Sequence, residues 1–195
     1  MRDALVGAAS AVALAVEADG LHYLVTECKS ATAPKAPTHV RLAGATLIET
    51  LCKNCTEDLA PYHPLLLQSL IGLFRAEEPA VQRGGLRGLD TLVKSLPKER
   101  YALHVATLRE SLAEVSTEHK AARLAAGDSA ADAGLLPALS LPSGLGPLVA
   151  VYLQGLMTGT ADLREISADA LGESCLLYTS PSPRDSDSSR MPSSA

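Results

Sequence analysis

PAVQRGGLRGLDTLVKSL, residues 79–96, is the stretch on which the reading of this chain turns. Pro79 opens it, and a proline fits the first turn of a helix, where the N–H it lacks would have no intrahelical partner. Val81, Leu86, Leu89, Leu92, Val93 and Leu96 then fall on one face at helical spacing, with Arg83, Arg87, Asp90 and Lys94 largely on the other. Gly84, Gly85 and Gly88 sit among them. Glycine weakens a helix interior, so this cluster predicts a neighbouring helix at close approach.

The stretch has relatives within the chain. Val40, Val81 and Leu163 align, followed one position on by Arg41, Gln82 and Arg164, five on by Ala45, Leu86 and Ala168, and eight on by Ile48, Leu89 and Leu171. The step is 41 residues, then twice that. A helical unit returning at roughly 40–47 residues marks a HEAT or armadillo-type array. ADLREISADALG, residues 161–172, is close to the consensus of the second HEAT helix: an acidic residue, an apolar one, Arg, then small residues ending in Ala-Leu-Gly. The expected fold is an all-α solenoid of about four helical hairpins. The segments beginning at Thr38, Pro79 and Ala161 are expected to lie parallel in one layer.

The other end of the chain stands apart. CLLYTSPSPRDSDSSRMPSSA, residues 175–195, matches in two ordered blocks what one frame of a common transposon-based sequencing adapter encodes. Cys175–Asp185 fits the first block and Ser189–Ala195 the second, with room for an index between them. The stretch is therefore set aside from fold reasoning and expected to be disordered, since Ser/Pro-rich sequence cannot bury a core. Native sequence is expected to stop near Ser174, in mid-helix.

Residues 1–174 suffice for one repeat array. Setting aside Arg184, Arg190, Asp185 and Asp187 leaves the net charge at −5, which gives no support to bulk attraction for DNA or RNA. Trp is absent and aromatics make up 3%, a composition that favours helices over a β-sandwich. Cys28, Cys52 and Cys55 are the cysteines outside the tail, a sparse odd number that suits a reducing cytosol. The apolar run 4–16 is shorter than the ~20 residues a membrane span needs, so a packed helix is expected there and no membrane partner.

Along the chain, an Ala-rich helix over 3–17, apolar nearly all round, is expected to be buried on most sides and to end at Gly20. A short helix 21–29, a Pro-punctuated linker 30–38 and a helix 38–54 follow. Helices 61–75 and 78–96 form the clearest complete repeat, and 98–118 reads as a longer helix. Residues 120–142, rich in Ala, Gly, Asp and Ser, read as a flexible insertion. Helices 144–158 and 161–174 then resume the array.

Few residues suggest chemistry. Cys52 and Cys55 form a CxxC, but a redox site needs a βαβ context and a zinc site a second ligand pair; His63 is the nearest further ligand. His22, His39, His104 and His119 show no metal-binding spacing. Gly84, Gly85 and Gly88 follow no strand and so make no phosphate cradle. Ser10 and Ser143-Gly144 lack a base nearby in sequence, and there is no GxSxG elbow. Arg75, Arg83 and Arg87 admit two readings, a face that meets rRNA phosphates or a solvated face with pairs such as Arg87–Asp90; a third possibility is an inter-repeat ladder of Arg41, Arg83 and Arg164. No catalytic, cofactor or metal residue is assigned, and the chain is read as non-enzymatic.

PYHPLLLQSLIGLFRAEEPAV, the long 98–118 helix, the insertion and GPLVAVYLQGLMTGTADLREISADALGE together resemble one family. It is the large HEAT-repeat translational activator of the stress kinase that acts on the alpha subunit of initiation factor two. The resemblance covers roughly 40–174 and is most specific in LQGLMTGTADLREISADALG. It departs in 120–142, where low-complexity alanine replaces a more structured link. What it implies is a cytosolic scaffold associated with ribosomes and with that kinase in the amino-acid starvation response. It carries over no partner-contacting residue. The competing expectation is a HEAT adaptor of another class, such as a nuclear transport receptor or a phosphatase scaffold. Because a hairpin cannot bury its apolar face alone, the two ends of the array are expected to be sticky.

Overall fold

The structure, a computed structural model, describes residues 2–129, 133–141 and 144–178. Among these residues there are eight α-helices and no strand. They are α1 (Arg2–Ala15), α2 (Ala18–Thr32), α3 (Thr38–Asn54), α4 (His63–Gly72), α5 (Pro79–Ser95), α6 (Val105–Ala125), α7 (Gly146–Thr158) and α8 (Ala161–Tyr178). Short 3-10 turns, Ala60–Tyr62, Leu73–Arg75 and Lys98–His104, lead into or out of α4 and into α6. The all-α solenoid expected from the period is the observed architecture.

Two layers stack. In one, α2 packs on α4, α4 on α6 and α6 on α8; in the other, α1 packs on α3, α3 on α5 and α5 on α7. Between layers, α2 meets α3, α4 meets α5, and α7 meets both α6 and α8. α4 lies inside this arrangement, which is why HPLLLQSLIG is apolar on so many sides: Leu66, Leu67, Leu70 and Ile71 are fully buried. α5 is amphipathic instead, burying Val81, Leu86, Leu89, Leu92 and Val93 while Arg83 and Lys94 stay exposed. Full burial of each such aliphatic side chain contributes roughly 1.5–3 kcal/mol. One cluster runs from Ala13 through Phe74 to Ala170, so the layers share a continuous core.

The glycines of α5 mark where helices come closest. A Cβ on Gly85 would lie 2.9 Å from the Leu70 carbonyl oxygen and 3.0 Å from Leu73 Cβ, and one on Gly88 would strike Leu70 Cδ2. Gly84 faces the other neighbour, with Ala45 Cβ of α3 at 3.4 Å from its virtual Cβ. The predicted close approach therefore occurs on two sides of one helix.

Several expectations need correction. The segment at Ala161 does not join those at Thr38 and Pro79 in one layer: α3 and α5 pack together, but α8 lies against α6 and α7. The place beside α5 is taken by α7: the layers alternate helix by helix, and the length of α6 and of the connection after it brings two 41-residue steps from Val81 to α8 and not to a helix of the α5 layer. Burial agrees: Ala168 is exposed and Leu163 and Leu171 are half-buried, whereas Val81, Leu86 and Leu89 are buried. α1 is not buried on most sides. It packs on α3, burying Ala9 and Ala13, and leaves Val12 and Leu14 43% and 63% exposed. Gly20 lies inside α2, which starts at Ala18 after an extended Glu17 and runs on through Thr32. Residues 120–125 continue α6, which ends where Gly127 takes φ 96°, a left-handed conformation suited to glycine. Within 133–141, Ala133, Leu136, Ala138 and Leu139 are fully buried, so this part of the expected insertion fills the core. Of the expected disordered tail, residues 175–178 lie in α8 and 179–195 fall outside the described residues.

Candidate functional site

Among the described residues, a connected group of polar side chains lies at the seam between α3 and α5. Glu78 is the N-cap residue of α5 and faces the first turn of α3. Thr38 Oγ1 donates to Glu78 Oε1 at 2.5 Å, and Arg41 Nη2 donates to both carboxylate oxygens at 3.2 and 3.1 Å. The Thr38 hydrogen bond, with help from Arg41, holds the Glu78 carboxyl below the usual carboxylate range. Two turns along, Glu49 of α3 meets Arg87 of α5 at 3.6 Å and Lys53 of its own helix at 2.6 Å. Gln82 is buried, and its Nε2 donates at 2.7 Å to the Ala76 carbonyl that the preceding 3-10 turn leaves behind.

The arginines singled out in the sequence do not form one face. Arg75 donates to the Gly72 carbonyl and pairs with Glu118 of α6. Arg87 pairs with Glu49 and not with Asp90, which Lys94 takes instead at 2.6 Å. Arg41, Arg83 and Arg164 make no continuous ladder: Arg41 bridges to Glu78, Arg83 is exposed, and Arg164 turns back to the Gly159 carbonyl at 3.0 Å. A clamp the sequence did not reveal is Arg109 of α6, bound to Glu173 of α8 through Nε at 3.0 Å and Nη2 at 2.6 Å, with Asp169 at 3.6 Å. Glu173 stands 64 residues away in sequence, so no local pattern points to it.

Cys52 and Cys55 are half-buried at the end of α3. Burial pushes the thiol of Cys52 up to about 12, which leaves little thiolate at neutral pH. His63 does not join them. Its ring stacks edge-on against His104 at 5.6 Å between centroids, where the turn before α4 meets the turn before α6. Burial first, then the neighbouring His104, lowers His63 to about 4, and burial lowers His104 as well. Both imidazoles are therefore neutral near pH 7. His22 and His39 are exposed, and His119 is half-buried. Ser10 accepts from Asn54 Nδ2 at 3.3 Å, while Ser143 lies outside the described residues. Among the described residues no group of three or more His, Cys, Asp or Glu is placed to hold a metal ion, and no helix is long and apolar enough to cross a membrane. The chemistry present is that of ion pairs and hydrogen bonds tying one repeat to the next.

Comparison with known proteins agrees with this architecture. Residues 1–143 match the family described as "Stalled ribosome sensor GCN1-like, HEAT repeats". Protein ILITYHIA of Arabidopsis thaliana is 28% identical over 166 residues, 85% of this chain. The eIF-2-alpha kinase activator GCN1 of Dictyostelium discoideum is 26% identical over 84% of the chain, and the stalled ribosome sensor GCN1 of Homo sapiens 26% over 83%. In each case the match spans 6% of the relative's own length. No solved structure matches. Stacked helical pairs at the HEAT period, together with a family match over most of the chain, place this chain in the GCN1-like HEAT-repeat family.

Proposed function

We propose that this chain is a non-catalytic segment of a cytoplasmic HEAT-repeat scaffold that works with the ribosome and with the kinase of the initiation factor two alpha subunit. The observation that carries the reading is the α3–α5 seam, where buried glycine and leucine contacts and the Thr38–Arg41–Glu78 bridge join successive repeats. Such a segment transmits position: it fixes the spacing between surfaces that partners occupy. The names of the Dictyostelium and human relatives supply the partners. The test is a chimera in which residues 1–174 replace the matching segment of the Dictyostelium protein. The expected result is that the chimera co-sediments with ribosomes and supports starvation-induced phosphorylation of the alpha subunit, while deletion of the segment abolishes both. A chimera that folds and sediments like its parent yet fails in both assays refutes the reading.

A further inference from the structure

We infer that the outer face of the α1–α3–α5 layer carries a docking groove for an acidic, partly apolar peptide segment of a partner protein. The groove encloses about 410 Å³ and crosses all three helices. Leu5, Leu42 and Ala80 supply apolar lining, and His39, Arg83 and Arg87 supply cationic or proton-accepting groups. Among the described residues no carboxylate lines it, although the chain as a whole carries 22 acidic against 17 basic residues. Local charge and global charge thus have opposite sign.

Arg83 makes the strongest case. Arg41, Arg75, Arg109 and Arg123 each pair with a carboxylate. Arg83 stands exposed with neither an ion-pair nor a hydrogen-bond partner among the described residues. Arg87 is only partly satisfied, since its buried Nε lies 3.6 Å from Glu49 and makes no hydrogen bond. Two guanidiniums one helical turn apart on α5 offer forked donors to carboxylates, which they bind more specifically than lysines would. The apolar lining beside them suits one or two aliphatic side chains of the same segment, as in helix-in-groove recognition.

Nucleic acid fits less well. A phosphate backbone calls for a row of cations along its path, and this groove is compact, with Leu5 and Leu42 in its lining. Arg75, which would extend the row, is paired with Glu118 on the other layer. The inference is independent of the function proposed above, because it needs only the groove and its charges.

The test is a titration of the isotope-labelled full chain, followed by amide chemical shifts. The probe is an amphipathic peptide of about 18 residues with leucines at i, i+4 spacing and glutamates elsewhere. Saturable shifts are expected at residues 39–46 and 80–87. Arg83→Glu, a surface change checked by circular dichroism, weakens binding by about tenfold or more, since it replaces an attraction with a repulsion. Lys120→Glu, exposed on α6, changes it less than about twofold at a salt concentration that screens distant charges. A peptide with lysines in place of glutamates gives no shifts. The inference is overturned if the glutamate peptide does not bind saturably, if Arg83→Glu leaves its affinity unchanged, or if the lysine peptide binds equally. It is also overturned if an oligouridylate shifts the same residues at lower concentration than the peptide, which would make this a nucleic-acid surface.

Discussion

Replacing Gly85 by alanine should destabilise the chain, although the same change in a helix normally does the reverse. Alanine improves helix propensity over glycine by about 0.8–1 kcal/mol. At Gly85 the new Cβ arrives 2.9 Å from the Leu70 carbonyl oxygen, 3.0 Å from Leu73 Cβ and 3.4 Å from Phe74 Cε1. Ordinary contact for these atoms is about 3.5–4 Å, so the shortfall is roughly half an ångström. Neither the Leu70 carbonyl nor Leu73 Cβ can rotate away, because both are fixed by backbone packed inside the array. α4 and α5 must separate, at an overpacking cost of about 2–3 kcal/mol, which outweighs the propensity gain and leaves a net loss of about 1–2 kcal/mol. Gly7 and Gly172 are the controls: both lie inside helices, and a Cβ on either meets nothing within 4 Å. Alanine there should stabilise by about 0.5–1 kcal/mol. Urea unfolding followed by circular dichroism reads the difference as opposite shifts in midpoint at constant slope. If Gly85→Ala raises the midpoint as the controls do, α4 and α5 are not as close as described and the overpacking argument fails.

Three further outcomes follow from the same geometry. His63 titrates near 4 in the folded chain, below its ordinary value of 6.5, so the folded state resists its protonation. Stability from this source is complete above about pH 6.5 and falls as pH drops toward 4, by up to about 2 kcal/mol after allowance for solvent screening. His104, Asp58 and Arg100 are the groups that act on His63, and His63→Gln should flatten the acid limb of a stability-versus-pH profile. Gln82→Leu leaves the Ala76 carbonyl without its 2.7 Å donor and should cost about 1–3 kcal/mol in urea melts, more than an exposed Gln→Leu change elsewhere. For Arg109 and Glu173, a double-mutant cycle should give a coupling of about 0.5–1 kcal/mol that shrinks with added salt, as expected for a bidentate pair at the surface.

What the sequence made legible was whatever repeats locally. The apolar face of 79–96, its proline start and its glycines are all short-range signals, and each maps directly onto α5 and its two neighbours. Layer assignment was not legible. ADLREISADALG has the spacing of any helix that buries one face, so it aligned with α3 and α5 although it packs in the other layer. Layers alternate helix by helix, so a fixed 41-residue step finds the wrong one once a long helix and a long connection lengthen the spacing, and the composition of 126–145 says little about where it runs. Leu136 and Leu139 were the missed signal, since two fully buried leucines show that this connection enters the core. Of the polar groups, Arg41 was legible as a possible bridge but its partner was not. Glu78 lies 37 residues on, close to one repeat, and only the stacking brings the two together. His63 and His104 are separated by the same interval of 41 residues as Val40 and Val81. Their contact was therefore readable in principle, as two equivalent positions of successive repeats.

That last coincidence shows how the array divides its labour. Equivalent positions in neighbouring repeats face each other across a seam, so a residue pair about one period apart is a candidate contact whatever its chemistry. Apolar pairs at this spacing set how closely helices approach, and Gly84 against Ala45 and Leu42 sharpens that distance. Polar pairs at this spacing, Arg41–Glu78 and Glu49–Arg87, lie at the edge of the seam, where water weakens them. They add little to stability, but a one-turn slip of α5 along α3 would break both and leave the charges mismatched. The buried residues therefore hold the repeats together, and the ion pairs select the register. Arg83 lies on the same helix, exposed and without such a pair, beside Leu5, Leu42 and Ala80, which is why it is placed to meet something other than this chain.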